Sequence, residues 1–481
     1  MPQFLRRADA LPLPHGYIGD GKTASPMKKW LSWIALGLVA GFGLLLLLGA
    51  TRYGGIDGLR LRVRAEKVAH MEQEALVPTP LPTPTAEVQV ESAPAAAPAT
   101  TTPALAPTQA PSVTLSPTQP SAVSAASATA TAAQSSTTPT AGITATTIPT
   151  ASPDATSVPA HQPAAPAIEL GGLRHEWQTW NNCGPATLAM YLSYFGSSLT
   201  QAEIGPVIRP NPEDKHASVQ QLAAYARSQG LRTLVRVNGD ADRLRLLLSN
   251  GIPVMMPSWH IDAKGSAMGH YRLITGYDDA REEWILYDSL ESHGVSADQP
   301  YRGARLSYQS FDAWWRVFNR LYFVIYTAEM EPAVLAIVGD DLNDQAMWER
   351  SLEQAQREVE ARPEDPFAWF TLGTNLVAAG RPANAAGAYD QARLIGLPFR
   401  MMWYQFGAFQ AYYDSGRYEE VIALADATIK VTADVEELHY WRGRALAALG
   451  DVEGARQALQ RALAQRPDFL EAVGALEQLG G

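Results

Sequence analysis

Cysteine is nearly absent from this chain: Cys183 is the only one in 481 residues. A single thiol excludes an internal disulfide framework and any Cys-rich zinc or iron–sulfur site. Positive charge is also scarce. Lys and Arg total 38 against 49 Asp and Glu, a formal net charge of −11. No basic stripe runs through the globular stretches, which argues against a nucleic-acid partner. There is no Gly-rich phosphate loop, and no motif indicates a metal or organic cofactor. The chain is too long for one domain and suits two or three.

Charge is missing altogether from Trp30 to Ala50, WLSWIALGLVAGFGLLLLLGA. At about 1.5 Å per residue this run crosses a hydrocarbon core of about 30 Å. It is longer than a signal-peptide core and starts far from Met1, so a single transmembrane helix over 30–50 is expected, after a tail at 1–29 and before a juxtamembrane segment at 51–76. Basic residues flank both sides: Lys22, Lys28 and Lys29 before it, Arg52, Arg60, Arg62, Arg64 and Lys67 after it. The positive-inside rule therefore leaves the orientation open. Residues 77–167 are Pro, Thr, Ser and Ala in low-complexity order, as in VPTPLPTPTAEV. Such a stretch buries too little apolar surface to fold and is extended by its prolines. It reads as a disordered stalk, and its similarity to stalks of bacterial surface proteins favours a cell-membrane location with the C-terminal part outside the cytoplasm.

Beyond the stalk the composition is globular. Over 168–330 a helix is expected to start at Cys183, with Pro185 in its first turn and ATLAMYLSYFG carrying apolar residues to Gly196. A second is expected over Ser218–Gln229, capped by Ser218 and stopped by Gly230, and a short one in DADRLRLLLSNG. LRTLVRV, IPVMMPSW, HYRLITGY, EEWILYD and RLYFVIYT read as strands. Helices followed by strands predict an α+β domain with an antiparallel sheet.

From 342 to 481 the pattern is wholly helical and repeats. Trp369, Leu372, Gly373, Gly380, Ala385, Tyr389 and Ala392 have the spacing of a tetratricopeptide repeat, and Gly443, Leu446, Gly450, Ala455, Leu459, Ala462 and Pro467 repeat it. Trp403, Phe406, Gly407, Gly416 and Tyr418 mark a degenerate middle copy with about one inserted residue. The helix over 344–361 reads as a cap, and the array as a protein-binding surface.

The lone cysteine lies in HEWQTWNNCGPATLAM. A helix start stabilises a thiolate through its dipole and free N–H groups. Gln178, five residues earlier, has an amide that can donate to an oxyanion beside the sulfur. A thiolate nucleophile needs a base. Of nine histidines, His15, His70, His161 and His439 fall outside the domain, His175 and His216 read as surface residues, and His293 lies in a polar loop. His270 is preferred because it opens the strand HYRLITGY after Gly269; His260, in the preceding loop, is the reserve. Asp288 ends EEWILYD, which an antiparallel hairpin returns beside His270, so it is the expected orienting acid.

At Gln178, the NNCGPATLAM run, GHYRLITGYDD and YDS, the chain resembles the bacteriocin-processing cysteine peptidases (cysteine peptidase family 39) and their papain-like relatives. The resemblance covers about 170–328. It implies a papain-like fold, a triad of Cys183, His270 and Asp288, Gln178 in the oxyanion hole, and hydrolysis of peptide bonds through a thioester. Transporter-linked members carry several spans and a nucleotide-binding domain that have no counterpart here, so export-coupled cleavage is not implied. Ser289 follows the acid where many relatives have proline. The expectation is a membrane-anchored cysteine peptidase whose repeats bind a protein partner and whose substrate is a peptide or protein. Cell-wall peptide amidase or acyl-transfer chemistry on the same triad, or a non-catalytic peptide-binding scaffold, are the alternatives.

Overall fold

The computed structural model of the chain describes residues 76–81, 160–261, 267–290 and 301–480. The expected span at 30–50 and residues 82–159 of the expected stalk lie outside the described residues. No helix among the described residues is long and apolar enough to cross a membrane.

Residues 167–326 form an antiparallel sheet flanked by helices. A short strand β1 (Ala167–Glu169) precedes α1 (Cys183–Tyr194), α2 (Gln201–Ile208) and α3 (Val219–Ser228). Then come β2 (Arg232–Arg236), α4 (Ala241–Ser249), β3 (Val254–Ile261), β4 (Ala267–Asp278), β5 (Glu283–Asp288), β6 (Ala304–Ser307), α5 (Tyr308–Trp315) and β7 (Tyr322–Tyr326). The strand order is β2-β7-β3-β4-β5-β6, with β1 also pairing with β4. One apolar cluster joins α1–α3 to Met255, Leu273, Phe323 and Ile325. A second joins α4 and α5 to Val254, Met256, Ile274, Leu286 and Val324. The alternation of odd and even positions between the two clusters is the pleat of a sheet covered on both faces.

Helix α1 is buried at every position from Gly184 to Ser193, so it has no polar face to display. Its first turn crosses the sheet closely: a Cβ on Gly184 would lie 3.3 Å from Ala217 and 3.4 Å from the Tyr271 ring. Three helices lacked a strong sequence signal, as did the short strands β1 and β6. Helix α2 is held by a Thr200–Glu203 capping box despite an internal Pro206. Helix α5 starts where Ser307 accepts from the Ser310 N–H. Helix α6 (Glu331–Val338) packs Val334, Ile337 and Val338 into the second cluster. Strand β3 also runs on through Ile261, so His260 belongs to the sheet rather than to a loop.

The helical region continues as α7 (Asp344–Ala361), α8 (Pro366–Ala378), α9 (Pro382–Ile395), α10 (Gly407–Asp414), α11 (Tyr418–Ile429), α12 (Glu436–Ala448), α13 (Val452–Gln465) and α14 (Leu470–Gln478). The repeat spacing has a direct packing cause. A Cβ on Gly373 would lie 2.8 Å from the Tyr389 ring, and one on Gly443 2.8 Å from Leu459. The middle copy departs further from the repeat than one inserted residue. A buried 3₁₀ turn, Phe399–Trp403, intervenes and α10 has only eight residues.

That turn is where the repeats meet the sheet. Arg400 Nη1 donates to the Ala267 carbonyl at 2.6 Å, and Trp259, Val317 and Phe318 share one apolar cluster with the repeat helices. Arg320 Nη1 reaches Glu358 at 2.6 Å, and Asn375 Nδ2 reaches Asn319 Oδ1 at 3.1 Å. At both ends of the expected stalk the described residues pack on the folded body. Val77 is buried against the repeats, the Gln162 N–H donates to Asn250 at 2.7 Å, and Ala167–Glu169 joins the sheet. A proline-rich composition set the stalk boundaries, but isolated apolar residues such as Val77 and Ile168 suffice to dock a short strand where a groove or sheet edge is ready.

Candidate active site

Cys183 is the first residue of α1. Asn181 before it has φ of 57°, a left-handed conformation that Asn tolerates better than most residues. Its side chain donates to the Pro212 and Glu213 carbonyls at 3.4 and 3.3 Å. Asn182 donates to Thr179 Oγ1 at 2.7 Å and accepts from Arg209. The two asparagines thus clamp the turn that presents the thiol, which is half-buried.

His270 lies on β4, opposite Ser258 of β3. Its Nε2 donates to Asp288 Oδ1 at 2.6 Å, and its ring is near enough to Cys183 to act on the thiol's titration. Asp288 ends β5 as expected, but its register partner is Arg272, with a bulge between Ile274 and Gly276. His270 and Arg272 lie two residues apart on one strand, so Asp288 meets Arg272 directly and His270 diagonally. Arg272 Nε donates to Asp288 Oδ2 at 2.9 Å, Nη2 donates to His260 Nδ1 at 2.9 Å, and Nη1 donates to Ser258. His270, Arg272 and Asp288 are all nearly inaccessible to solvent.

The electrostatics follow from these contacts. Burial pushes the Cys183 thiol up, but the His270 hydrogen bond and charge, the Tyr271 main chain and the Arg209 guanidinium together bring it below its ordinary value. Burial pushes His270 down, and Asp288 more than reverses this, so the imidazole titrates above its usual value. Burial also opposes ionisation of Asp288, yet His270 and Arg272 hold its carboxyl well below the usual range. A thiol pushed down beside an imidazole pushed up favours a thiolate–imidazolium pair.

Gln178 sits beside the acid. Its N–H donates to the Ser289 carbonyl at 2.8 Å, and its Oε1 accepts from Ser289 Oγ at 2.9 Å. The side-chain carbonyl is thereby fixed and the amide NH₂ is the free end. A proline at 289 has no hydroxyl to do this. His260 is engaged by Arg272. His175, read as a surface residue, is half-buried: Nε2 donates to the Asp288 carbonyl at 2.7 Å and the ring stacks on Tyr301 at 3.6 Å. His216 is also covered, with its ring 5.3 Å from Phe406 of the repeats, and burial lowers its pKa to about 4. His293 lies outside the described residues.

Three neighbours were not picked out from sequence, and Ser289 only as a departure from its relatives. Arg272 and Ser289 carried a usable signal, being one same-face step from His270 and the residue after Asp288. Arg209 and Tyr404 carried none, because only the fold brings them near. Tyr404 follows the 3₁₀ turn between repeats, and a Cβ on Gly269 would lie 2.8 Å from its ring. Burial pushes its phenol up, and the phenol oxygen also feels the charge of Cys183. The repeat region therefore supplies an aromatic wall next to the thiol.

Residues 171–322 match the model of the Peptidase_C39 like family, and residues 406–468 match a tetratricopeptide repeat. Solved structures similar to the chain include a C39-like peptidase from Bacillus anthracis, at 14% identity and a TM-score of 0.27, covering 34% of this chain and 98% of that one. The peptidase domain of Streptococcus ComA, a bifunctional ABC transporter of a quorum-sensing pathway, is 17% identical with a TM-score of 0.24, covering 33% and 99%. Xylellain, a cysteine protease from Xylella fastidiosa, is 14% identical with a TM-score of 0.28, covering 34% and 87%. No curated protein matches the chain. The chain thus combines a C39-like cysteine peptidase fold with tetratricopeptide repeats.

Proposed function

We propose that the protein is a cysteine peptidase that hydrolyses peptide bonds with Cys183 as nucleophile, His270 as acid–base and Asp288 as the orienting acid. The observation that carries this reading is the buried 2.6 Å hydrogen bond from His270 to Asp288, with Asp288 held ionised and the Cys183 thiol beside that imidazole pushed below its ordinary value. The Cys183 thiolate attacks the substrate carbonyl carbon. The Gln178 amide and the Cys183 N–H take the oxyanion. The imidazolium gives its proton to the leaving amine as the C–N bond breaks, leaving a thioester. His270 then takes a proton from water, hydroxide attacks the thioester, and the carboxylate leaves as the thiol is restored. Arg272 keeps Asp288 ionised. The repeats recruit the protein partner or substrate, and residues 30–50 tether the enzyme to the cell membrane with its folded part outside the cytoplasm.

The test is alkylation of the full-length chain by a thiol-directed peptidyl probe. Rapid labelling confined to Cys183 is expected, and His270→Ala should slow it by about 10²-fold or more through loss of the base. Equal rates for the parent and His270→Ala would overturn the assignment of the base. An unreactive parent would leave a peptide-binding scaffold as the better reading. Protease shaving of intact cells tests the location: release of the folded part supports it, and full protection reverses it.

A further inference from the structure

Residues 76–81, Leu-Val-Pro-Thr-Pro-Leu, lie in extended form along the repeat region. Leu76 forms an antiparallel bridge with Pro398, and the Val77 N–H donates to the Leu397 carbonyl at 2.9 Å. The Val77 side chain is 3% exposed, within the same apolar cluster as Leu397, Phe399 and Tyr412. Next to it is a buried ion pair, Arg393 Nη1 to Glu420 Oε1 at 2.6 Å, both side chains 2% exposed. Arg393 Nη1 also donates to the Tyr412 hydroxyl at 3.0 Å.

What this pair has left over is used on the main chain of the segment. Arg393 Nε donates to the Pro78 carbonyl at 2.7 Å and Nη2 to the Thr79 carbonyl at 3.3 Å. Glu420 Oε2 accepts the Leu81 N–H at 2.8 Å. Behind them Asp390 accepts from Tyr412 at 2.9 Å and from Arg417 at 2.7 and 3.0 Å, which fixes the geometry of the pair. The sequence of the segment suits such a site. Prolines at 78 and 80 have no N–H to leave unsatisfied and preset an extended backbone, so little entropy is lost on docking. Of the four N–H groups in the segment, those of Val77 and Leu81 donate to the Leu397 carbonyl and to Glu420.

We propose that this groove is a binding site for an extended proline-containing peptide, and that its resident ligand is residues 76–81 of the same chain. The groove reads main-chain carbonyls with Arg393 and a main-chain N–H with Glu420, and it reads the side chain of one buried aliphatic residue, Val77. The consequence is topological. Residues 162–169 are anchored on the sheet and the helix end beside it, so the described residues on both flanks of the low-complexity stretch are held by the folded body. Any tether N-terminal to the body then reaches it at residue 76 instead of residue 168. At no more than about 3.6 Å per residue, this shortens the available spacing from a surface severalfold.

The test is an engineered cross-link in the full-length chain. Leu76→Cys and Pro398→Cys are combined with Cys183→Ala, so that no other thiol is present and peptidase activity plays no part. Mild oxidation should give an intramolecular disulfide, read as a shift in non-reducing gels, and Val77→Asp should slow its formation by at least about tenfold by placing a charge in the apolar slot. Circular dichroism of the Val77→Asp chain should be unchanged, as the segment lies on the surface of an otherwise intact array. Cross-linked dimers in place of the intramolecular product would make a second copy the occupant and overturn the proposal. So would absence of the disulfide, or a rate unaffected by Val77→Asp.

Discussion

The sheet region and the repeat region each bury an arginine–carboxylate pair, Arg272–Asp288 through Nε at 2.9 Å and Arg393–Glu420 through Nη1 at 2.6 Å. In the sheet the second carboxylate oxygen faces an imidazole, and that imidazole faces a thiol. In the repeats the second oxygen faces a peptide N–H, and the free guanidinium donors face carbonyls. The same kind of pair therefore supplies the carboxylate that raises a histidine's basicity in one place and holds a strand of main chain in the other. What a buried ion pair does is set by what its unused hydrogen-bonding positions meet.

Matched charge removals sharpen that contrast. Asp288→Asn and Glu420→Gln each leave an arginine without its counter-ion, and each should cost about 3 kcal/mol or more of stability, read by denaturant unfolding. Only Asp288→Asn should also slow alkylation of Cys183, by about 10²-fold or more, because the asparagine no longer favours the imidazolium. Its pH dependence has a definite sign. With Asp288 present the thiol titrates below its ordinary value. Without it the His270 pKa falls, the thiolate loses its counter-ion, and the midpoint of the rate–pH curve moves up. Equal slowing in Glu420→Gln would erase the distinction between the two pairs.

A smaller effect is expected where the two regions meet. Tyr404→Ala removes the repeat-borne ring over Gly269 but leaves the thiol and its base in place. Peptide turnover should fall by about tenfold in kcat/KM, mainly through KM, while alkylation by iodoacetamide stays near the parental rate. Loss of both alike would show that Tyr404 supports the thiol itself. The smallest expected change is Ser289→Ala, which frees the Gln178 carbonyl from its hydroxyl donor. Losing one neutral hydrogen bond of about 1 kcal/mol should lower kcat severalfold with the alkylation rate unchanged.

Much of the candidate site was legible in the sequence because it depends on short-range regularities. A cysteine before Gly-Pro and an apolar run marks a helix start, and a hairpin with a short turn brings the end of EEWILYD to the start of HYRLITGY. The bulge at Thr275 moves Asp288 from opposite Leu273, where an unbroken ladder would put it, to opposite Arg272, on the same face as His270. A bulge of this kind has no reliable local signature, since an extra residue in a ladder is decided by the neighbouring strands. His216 and His175 were misread for a related reason. Both lie in irregular segments, where burial comes from remote residues such as Phe406 and Tyr301.

The sequence by itself determined the periodic features: the repeat spacing, the helix that begins at the lone cysteine, the alternation of the strands and the small set of residues able to act as nucleophile and base. These follow from side-chain geometry within one element and need no distant partner. Tertiary structure alone decided that Arg272 and Arg209 flank the site, that Ser289 orients Gln178 and that Tyr404 comes from the repeats to stand beside the thiol. It also decided that a strand from the edge of the low-complexity segment lies in a charged groove. Each of these joins residues far apart in the chain, and such contacts form only where packing leaves a donor, an acceptor or an apolar slot in need of a partner.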